Sequence, residues 1–325
     1  MNTDVKPIAI DDIRTPPPVC HSTPRSRNLR HAIADFWLRL LFGLARNAPW
    51  ILRTFKRPGV WATVRFSQKV RRATFANATR ILGRDISARR RDAFATAVVG
   101  SFFDFVVDVG RSSAMTAVQL HAQIESVEGR DAYVAHRQAG GGAIIATAHM
   151  GSFEVGLASL VDVEPHIHVV FKRDSQDGFE SIRRALRTTL GVHEAAIDDG
   201  WETWIRLRDA LESNHVVVMQ IDRAMPGQKA QAVPILGGHV LLPIGPVKLA
   251  QISGSPIVPV FTVRTATGRC RVMAEAPIRV DSDAALIDGV HPALLQLGKV
   301  IEKYIAAYPE QWLVLDPAFV EDLTQ

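Results

Sequence analysis

The chain has 325 residues, 47% hydrophobic and 22% charged, so it can bury a sizeable core as one large domain or two modest ones and does not read as disordered overall. Its two cysteines, Cys20 and Cys270, match no metal-ligand or redox spacing, which argues against a disulfide framework and for a reducing compartment. The net charge of +5 is unevenly spread: Arg25 to Arg91 holds 17 Lys and Arg against two acids, Asp35 and Asp85, and the rest of the chain holds 21 bases against 31 acids. A basic arm ahead of an acidic body calls for an anionic surface beside the arm.

Residues 1–28 carry Pro16, Pro17, Pro18 and Pro24 among polar residues, lack the apolar run of a secretory signal, and read as a disordered tail. Over 31–48, Ile33, Phe36, Trp37, Leu40, Leu41 and Leu44 form one helical stripe, with Asp35, Arg39 and Arg46 off it, and Pro49 is expected to end the helix. Trp50, Ile51, Leu52, Arg53, Phe55, Lys56 and Arg57 then mix aromatics with cations, as a bilayer interface requires. The stripe would serve equally to pack on the protein's own core. Arg65, Lys69 and Arg72 have a spacing that also suits nucleic acid, but no nucleic-acid motif accompanies them and no such partner is expected. No spanning helix is expected either, because Arg39 and Arg46 break one apolar stretch and Asp104 and Asp108 another. Residues 29–128 thus read as a basic, mostly helical, membrane-associating region.

From Gly140 the pattern changes. Short apolar runs at 143–148, 166–171, 215–221 and 256–263 read as buried strands, with helices between and around them at 153–161, 177–190, 201–213 and 245–253. The expected fold class is α/β, a mostly parallel sheet flanked by helices over 129–325, with the helical region in front. In such folds ligands bind beyond the carboxyl ends of the strands. His149 and Glu154 follow the first run, Lys172 and Arg173 the second, Asp222 and Arg223 the third, and Arg264 ends the fourth. Titratable groups gather where this fold puts a site.

His149 closes a strand, Gly151 lets the chain bend, Ser152 is a candidate N-cap, and Glu154 falls in the first turn of the next helix, where the dipole favours its charge. A carboxylate bonded to one imidazole nitrogen leaves the other as a base for an attacking hydroxyl or amine. The spacing alone is weak, since His193 and Asp198 share it, but His193 precedes an apolar run and has no glycine bend. Nucleophile-elbow, dinucleotide-binding, P-loop and zinc-peptidase motifs are absent, and His166 and His168 lack an acidic or Cys companion at ligand spacing, so no metal is expected.

The residues His149-Met150-Gly151-Ser152-Phe153-Glu154 resemble the HxxxxD/E motif of the lipid A late acyltransferases, a branch of the lysophospholipid acyltransferase superfamily. The strand leading to Asp222, Pro234-Ile235-Leu236-Gly237, Gly245-Pro246, the strand 256–261 with Arg264, and Pro309-Glu310-Gln311-Trp312 are similar to that family in the same order, over about residues 33–319. The resemblance implies a glycerol-3-phosphate acyltransferase-like fold. It implies transfer of an acyl chain from an acyl-carrier-protein or coenzyme A thioester to a membrane lipid acceptor, with no metal or prosthetic group, at the cytoplasmic face of a bacterial inner membrane. His149 would be the general base, Glu154 its orienting partner, and Lys172 or Arg173 a cation for an acceptor phosphate or the oxyanion, with Asp222, Arg223 and Arg264 at the substrate.

Ser152 and Phe153 stand where the family has Asn and Trp, Arg223 where it has Gln or His, and Leu313-Val314-Leu315 where it continues into His and Arg. If those basic residues serve lipid A phosphates, the acceptor here is a different one, such as an aminolipid, a lysophospholipid or a polyketide-like lipid head. The competing reading is a non-catalytic peripheral membrane or anionic-polymer binding protein that uses the basic arm.

Overall fold

In the computed structural model the described residues are 40–172, 177–225 and 227–323, and of 177–182 only the backbone. The tail read at 1–28, most of the 31–48 stripe, and Arg173 lie outside them. Helices come first. α1 covers 40–47 among the described residues, Ala48 interrupts, and Pro49 opens α2 (Pro49–Phe66). A proline fits at that position because the first helical N–H has no intrahelical partner to lose. α3 (Gln68–Leu82) and α4 (Ala88–Ser112) each start on a serine, Ser67 and Ser87, whose hydroxyl accepts from an N–H three residues on.

By length and composition α4 is the one described helix that could cross a membrane, but half of its most apolar window is buried inside the protein. The two acids that interrupt it are paired: Asp104 with Lys56 at 2.6 Å, and Asp108 with Arg264.

After α5 (Ala117–His121) strands and helices alternate: β1 (Ile124–Glu128), α6 (Asp131–Gln138), β2 (Ala143–Thr147), the short α7 (Phe153–Gly156) and α8 (Ala158–Val161), β3 (Ile167–Phe171), α9 (Asp177–Thr189), β4 (His193–Ala196), α10 (Trp201–Glu212), β5 (Val216–Gln220), β6 (Ala230–Ile235), β7 (Gly238–Pro243), α11 (Gly245–Ser253), β8 (Ile257–Arg264), β9 (Cys270–Ala274) and α12 (Pro292–Ala307). The main sheet has seven strands in the order β1-β9-β8-β2-β5-β3-β4. β8, β2, β5, β3 and β4 run parallel; β9 and β1 run the other way. The expected α/β class and mostly parallel sheet are therefore what the chain adopts.

Both faces of the central strands are covered. Ile144, Ala146, Val217 and Met219 join Leu249, Leu297 and Ile301 in the largest core, while Ala143, Ile145, Val216 and Val258 pack with Tyr133 of α6 on the other face. This two-sided burial is why the strands read as unbroken apolar runs. The four expected strands are present, and three of the four expected helices. The fourth, at 153–161, is two short helices with Leu157 between them.

Five strands had no such signal. β1 (IESVE) and β4 (HEAA) are polar edge strands, and β9 is half covered. β6 and β7 form a separate antiparallel hairpin. Its tight connection runs through Leu236, in a left-handed conformation (φ 52°), and Gly237 instead of an Asn-Gly or Asp-Gly pair, so the stretch after Asp222 read as a loop.

Candidate active site

The register of two neighbouring strands builds the site. β2 and β5 are parallel, and Thr147 pairs with Gln220. Two residues past each partner stand His149 and Asp222. His149 Nδ1 lies 2.8 Å from Asp222 Oδ1; the carboxylate is 0% exposed and the imidazole 22%. The indole N–H of Trp312 donates to Asp222 Oδ2 at 2.8 Å. Burial works against a charge on Asp222, but His149, its hydrogen bond, Arg223 and Trp312 outweigh burial and hold its carboxyl below the usual aspartate range. Nδ1 therefore carries the proton toward Asp222. Nε2 has no hydrogen-bond partner among the described residues and is left as an acceptor.

Glu154 was expected to orient His149. The structure pairs that imidazole with Asp222 instead. Glu154 is buried and accepts from Arg183 Nε of α9 at 2.5 Å. The helix that carries it turns its side chain away from the strand end, and the buried acid needs a cation of its own. Ser152 sits at the N-cap position, but its hydroxyl makes no cap; it donates to Asp108. Asp108 also takes the Arg264 guanidinium, which donates to Gly268 O at 2.9 Å as well. The charge of Arg264, expected at the substrate, is thus already engaged.

Arg223 follows Asp222, half-buried, with its Nε lacking a hydrogen-bond partner in the described structure. Lys172 directly follows β3, also half-buried. Phe153 stacks on Phe105 of α4 at 4.9 Å and meets the His149 ring edge-on at 5.6 Å.

The Pro309-Glu310-Gln311-Trp312 segment holds this loop in place. Met150 bridges to Trp312, Gly151 N–H donates to Gln311 O at 3.0 Å, and Leu313 N–H donates to His149 O at 2.7 Å. The Gln311 side chain accepts from Arg264 N at 2.7 Å and donates to Arg264 O at 2.9 Å, tying the end of β8 to the same point. Gly151 has φ 53°, and a Cβ there would come within 2.6 Å of Thr262 O, so only glycine passes this bend. The sequence reading missed the contacts of Trp312, Gln311, Arg183 and Asp108. The closing motif was visible, but nothing in spacing says which strand ends it grips.

A second group of histidines lies at the opposite end of the sheet. His166 and His215 directly precede β3 and β5, His193 begins β4, and His168 is in β3. His168 Nε2 lies 3.1 Å from His215 Nδ1, and the His168 ring stacks on His193 at 4.9 Å. Burial, then the neighbouring His193, His215, His166 and Arg206, push His168 down to about 4. Among the described residues no group of three or more His, Cys, Asp and Glu is arranged to hold a metal ion.

A buried carboxylate, an imidazole oriented by it and an open Nε2 at the carboxyl end of a parallel sheet have the geometry that general-base chemistry on a hydroxyl or amine requires. The family described as bacterial lipid A biosynthesis acyltransferase matches residues 19–320, and the chain belongs to that family. It is an acyltransferase of lipid biosynthesis. It is 25% identical over 251 residues to a phosphatidylinositol mannoside acyltransferase of Mycobacterium tuberculosis (strain CDC 1551 / Oshkosh), covering 77% of each chain. It is 24% identical over 250 residues to a phosphatidylinositol mannoside acyltransferase of Mycolicibacterium smegmatis, covering 76% of this chain and 79% of the relative.

Proposed function

We propose that the chain moves an acyl group from an acyl-carrier-protein or coenzyme A thioester to a hydroxyl or amine of a membrane lipid, with His149 as general base. The observation that carries this is the 2.8 Å contact of His149 Nδ1 with the fully buried Asp222, which leaves Nε2 open. Nε2 takes the proton of the acceptor O–H or N–H as the acceptor attacks the thioester carbonyl. Asp222 stabilises the imidazolium that results. The C–S bond then breaks and the thiolate leaves with the proton, giving an ester or amide and a free thiol. Arg223, beside Asp222, and Lys172, just after β3, are assigned in this reading to the developing oxyanion or to an acceptor phosphate. Glu154 supports the loop through Arg183 and does not touch the imidazole.

The setting in this reading is the cytoplasmic face of a bacterial inner membrane, with the protein peripheral. The lipid acceptors named for the family and for the mycobacterial relatives, and the cationic aromatic helix α2, support it. The acceptor need not be lipid A, because Leu313 and Val314 stand where the family turns basic.

The test is untargeted lipid mass spectrometry of cells carrying wild-type protein, His149→Ala protein, or no gene. A lipid that gains one acyl chain only with the wild type is expected. An acylated product formed equally by stable His149→Ala protein would remove His149 as the base.

A further inference from the structure

We propose that the groove between α2 and α4 is a binding site for one anionic phospholipid drawn from the bilayer, its phosphate between Arg57 and Arg65 and its chains over Val60, Trp61 and Val64. The groove has a volume of about 770 Å³, within the range of small-molecule sites. Its floor includes Ala97 and Gly100 of α4, small residues that leave room under the cationic rim.

Charge decides the class of ligand. Four cations and two acids line the groove. Lys56 pairs with Asp104 at 2.6 Å, and Arg71 lies 3.9 Å from Asp92. Arg57 and Arg65 have no carboxylate partner among the described residues, and α2 contains no acid. Two guanidiniums without a counter-ion beside an apolar wall fit a phosphodiester with attached chains. Of the five exposed large aromatics among the described residues, four, Trp50, Phe55, Trp61 and Phe66, are on α2, each 61–69% exposed, and the fifth, Trp201, is on α10. Aromatics left in the open among cations belong at the headgroup level of a bilayer, so the ligand reaches the groove from the membrane on which α2 rests. A merely basic helix would attract such a membrane without holding any single lipid; the groove floor supplies the second requirement.

The groove ends one turn of α4 before Asp108, which bonds Ser152 and Arg264 beside the transfer site. It is a lipid-holding site additional to that one. Its test needs no turnover, so it stands or falls separately from the reading of His149.

The experiment is native mass spectrometry of the full chain titrated with dioctanoylphosphatidylglycerol and, in parallel, with zwitterionic dioctanoylphosphatidylcholine. One phosphatidylglycerol per chain is expected, bound at least about tenfold more tightly than phosphatidylcholine. Arg57→Gln with Arg65→Gln removes that preference, and Ala97→Phe, which fills the floor, removes the binding. Trp50→Ala, on the same helix but not lining the groove, keeps it. Arg57 and Arg65 are exposed, so their double variant tests the idea even where Ala97→Phe fails to fold. Equal affinity for the two lipids overturns the proposal, as does unchanged binding by the folded double variant. So does binding that appears only after removal of residues 1–39, which would make that segment the occupant.

Discussion

The two ends of the sheet carry histidine in opposite surroundings, one at the carboxyl end and four at the amino end. At the carboxyl ends of β2 and β5, His149 meets a buried carboxylate that is itself fixed by an indole N–H. At the amino ends, His166, His168, His193 and His215 meet each other and Arg206. The first arrangement fixes the ring's orientation and leaves one nitrogen open; the second resists a proton on His168 and His215. A histidine's chemistry here is set by the partner the strand register supplies, not by how many histidines lie nearby.

The largest effect that sharpens this comparison is at the carboxylate. Asp222→Asn keeps the shape and removes the charge, and should lower kcat by about 10³–10⁴-fold, with KM little changed. Glu154→Gln should act mainly on stability, by removing the buried charge that Arg183 bonds. Equal kcat losses in the two variants, at equal folded fraction, would break the assignment of Asp222 as the orienting acid.

The next effect is at the other end of the sheet. Buried Glu164 takes two bonds from Arg137, at 2.8 and 2.6 Å, and one from Tyr133. Arg137→Met strands that charge and should cost about 3–5 kcal/mol in denaturant unfolding, with kcat per folded molecule unchanged. A stability change below about 1 kcal/mol, the worth of an exposed pair, would show the charge to be solvated after all.

The smallest effect follows pH. His168 is pushed down to about 4, below the ordinary histidine value of about 6.5, so the unfolded chain binds its proton first as pH falls. Its neutral form supports the fold fully above about pH 6.5, and that support drains away between about 6.5 and 4. His168→Gln should flatten the melting-temperature profile in that window and leave it unchanged at pH 8. A mutant profile parallel to wild type throughout would remove His168 as the source.

Much of this was legible in the chain. Central strands buried on both faces announce themselves as apolar runs, and the residues after them, His149, Asp222, Arg223 and Lys172, mark the carboxyl end of the sheet. The choice of carboxylate was not legible. Glu154 is five residues from His149 and Asp222 is 73, yet the nearer acid is carried off by its helix and the distant one arrives by strand pairing. Nothing local encodes that β5 inserts beside β2 with Thr147 opposite Gln220. The hairpin was hidden for a different reason: its Leu-Gly connection lacks turn chemistry, and its strands alternate only weakly.

The grip of Trp312 on Asp222 spans 90 residues of chain, and that of Asp222 on His149 spans 73. Contacts so remote in sequence carry a loop-closure cost that the turns of a helix do not and come later in folding, whereas the helical turns of α2, α3 and α4 are local structures that form quickly. A young chain therefore presents the cationic, aromatic surface of α2 well before His149 is aligned with its carboxylate. Maturation has an order: the helical surface first, the paired imidazole afterwards.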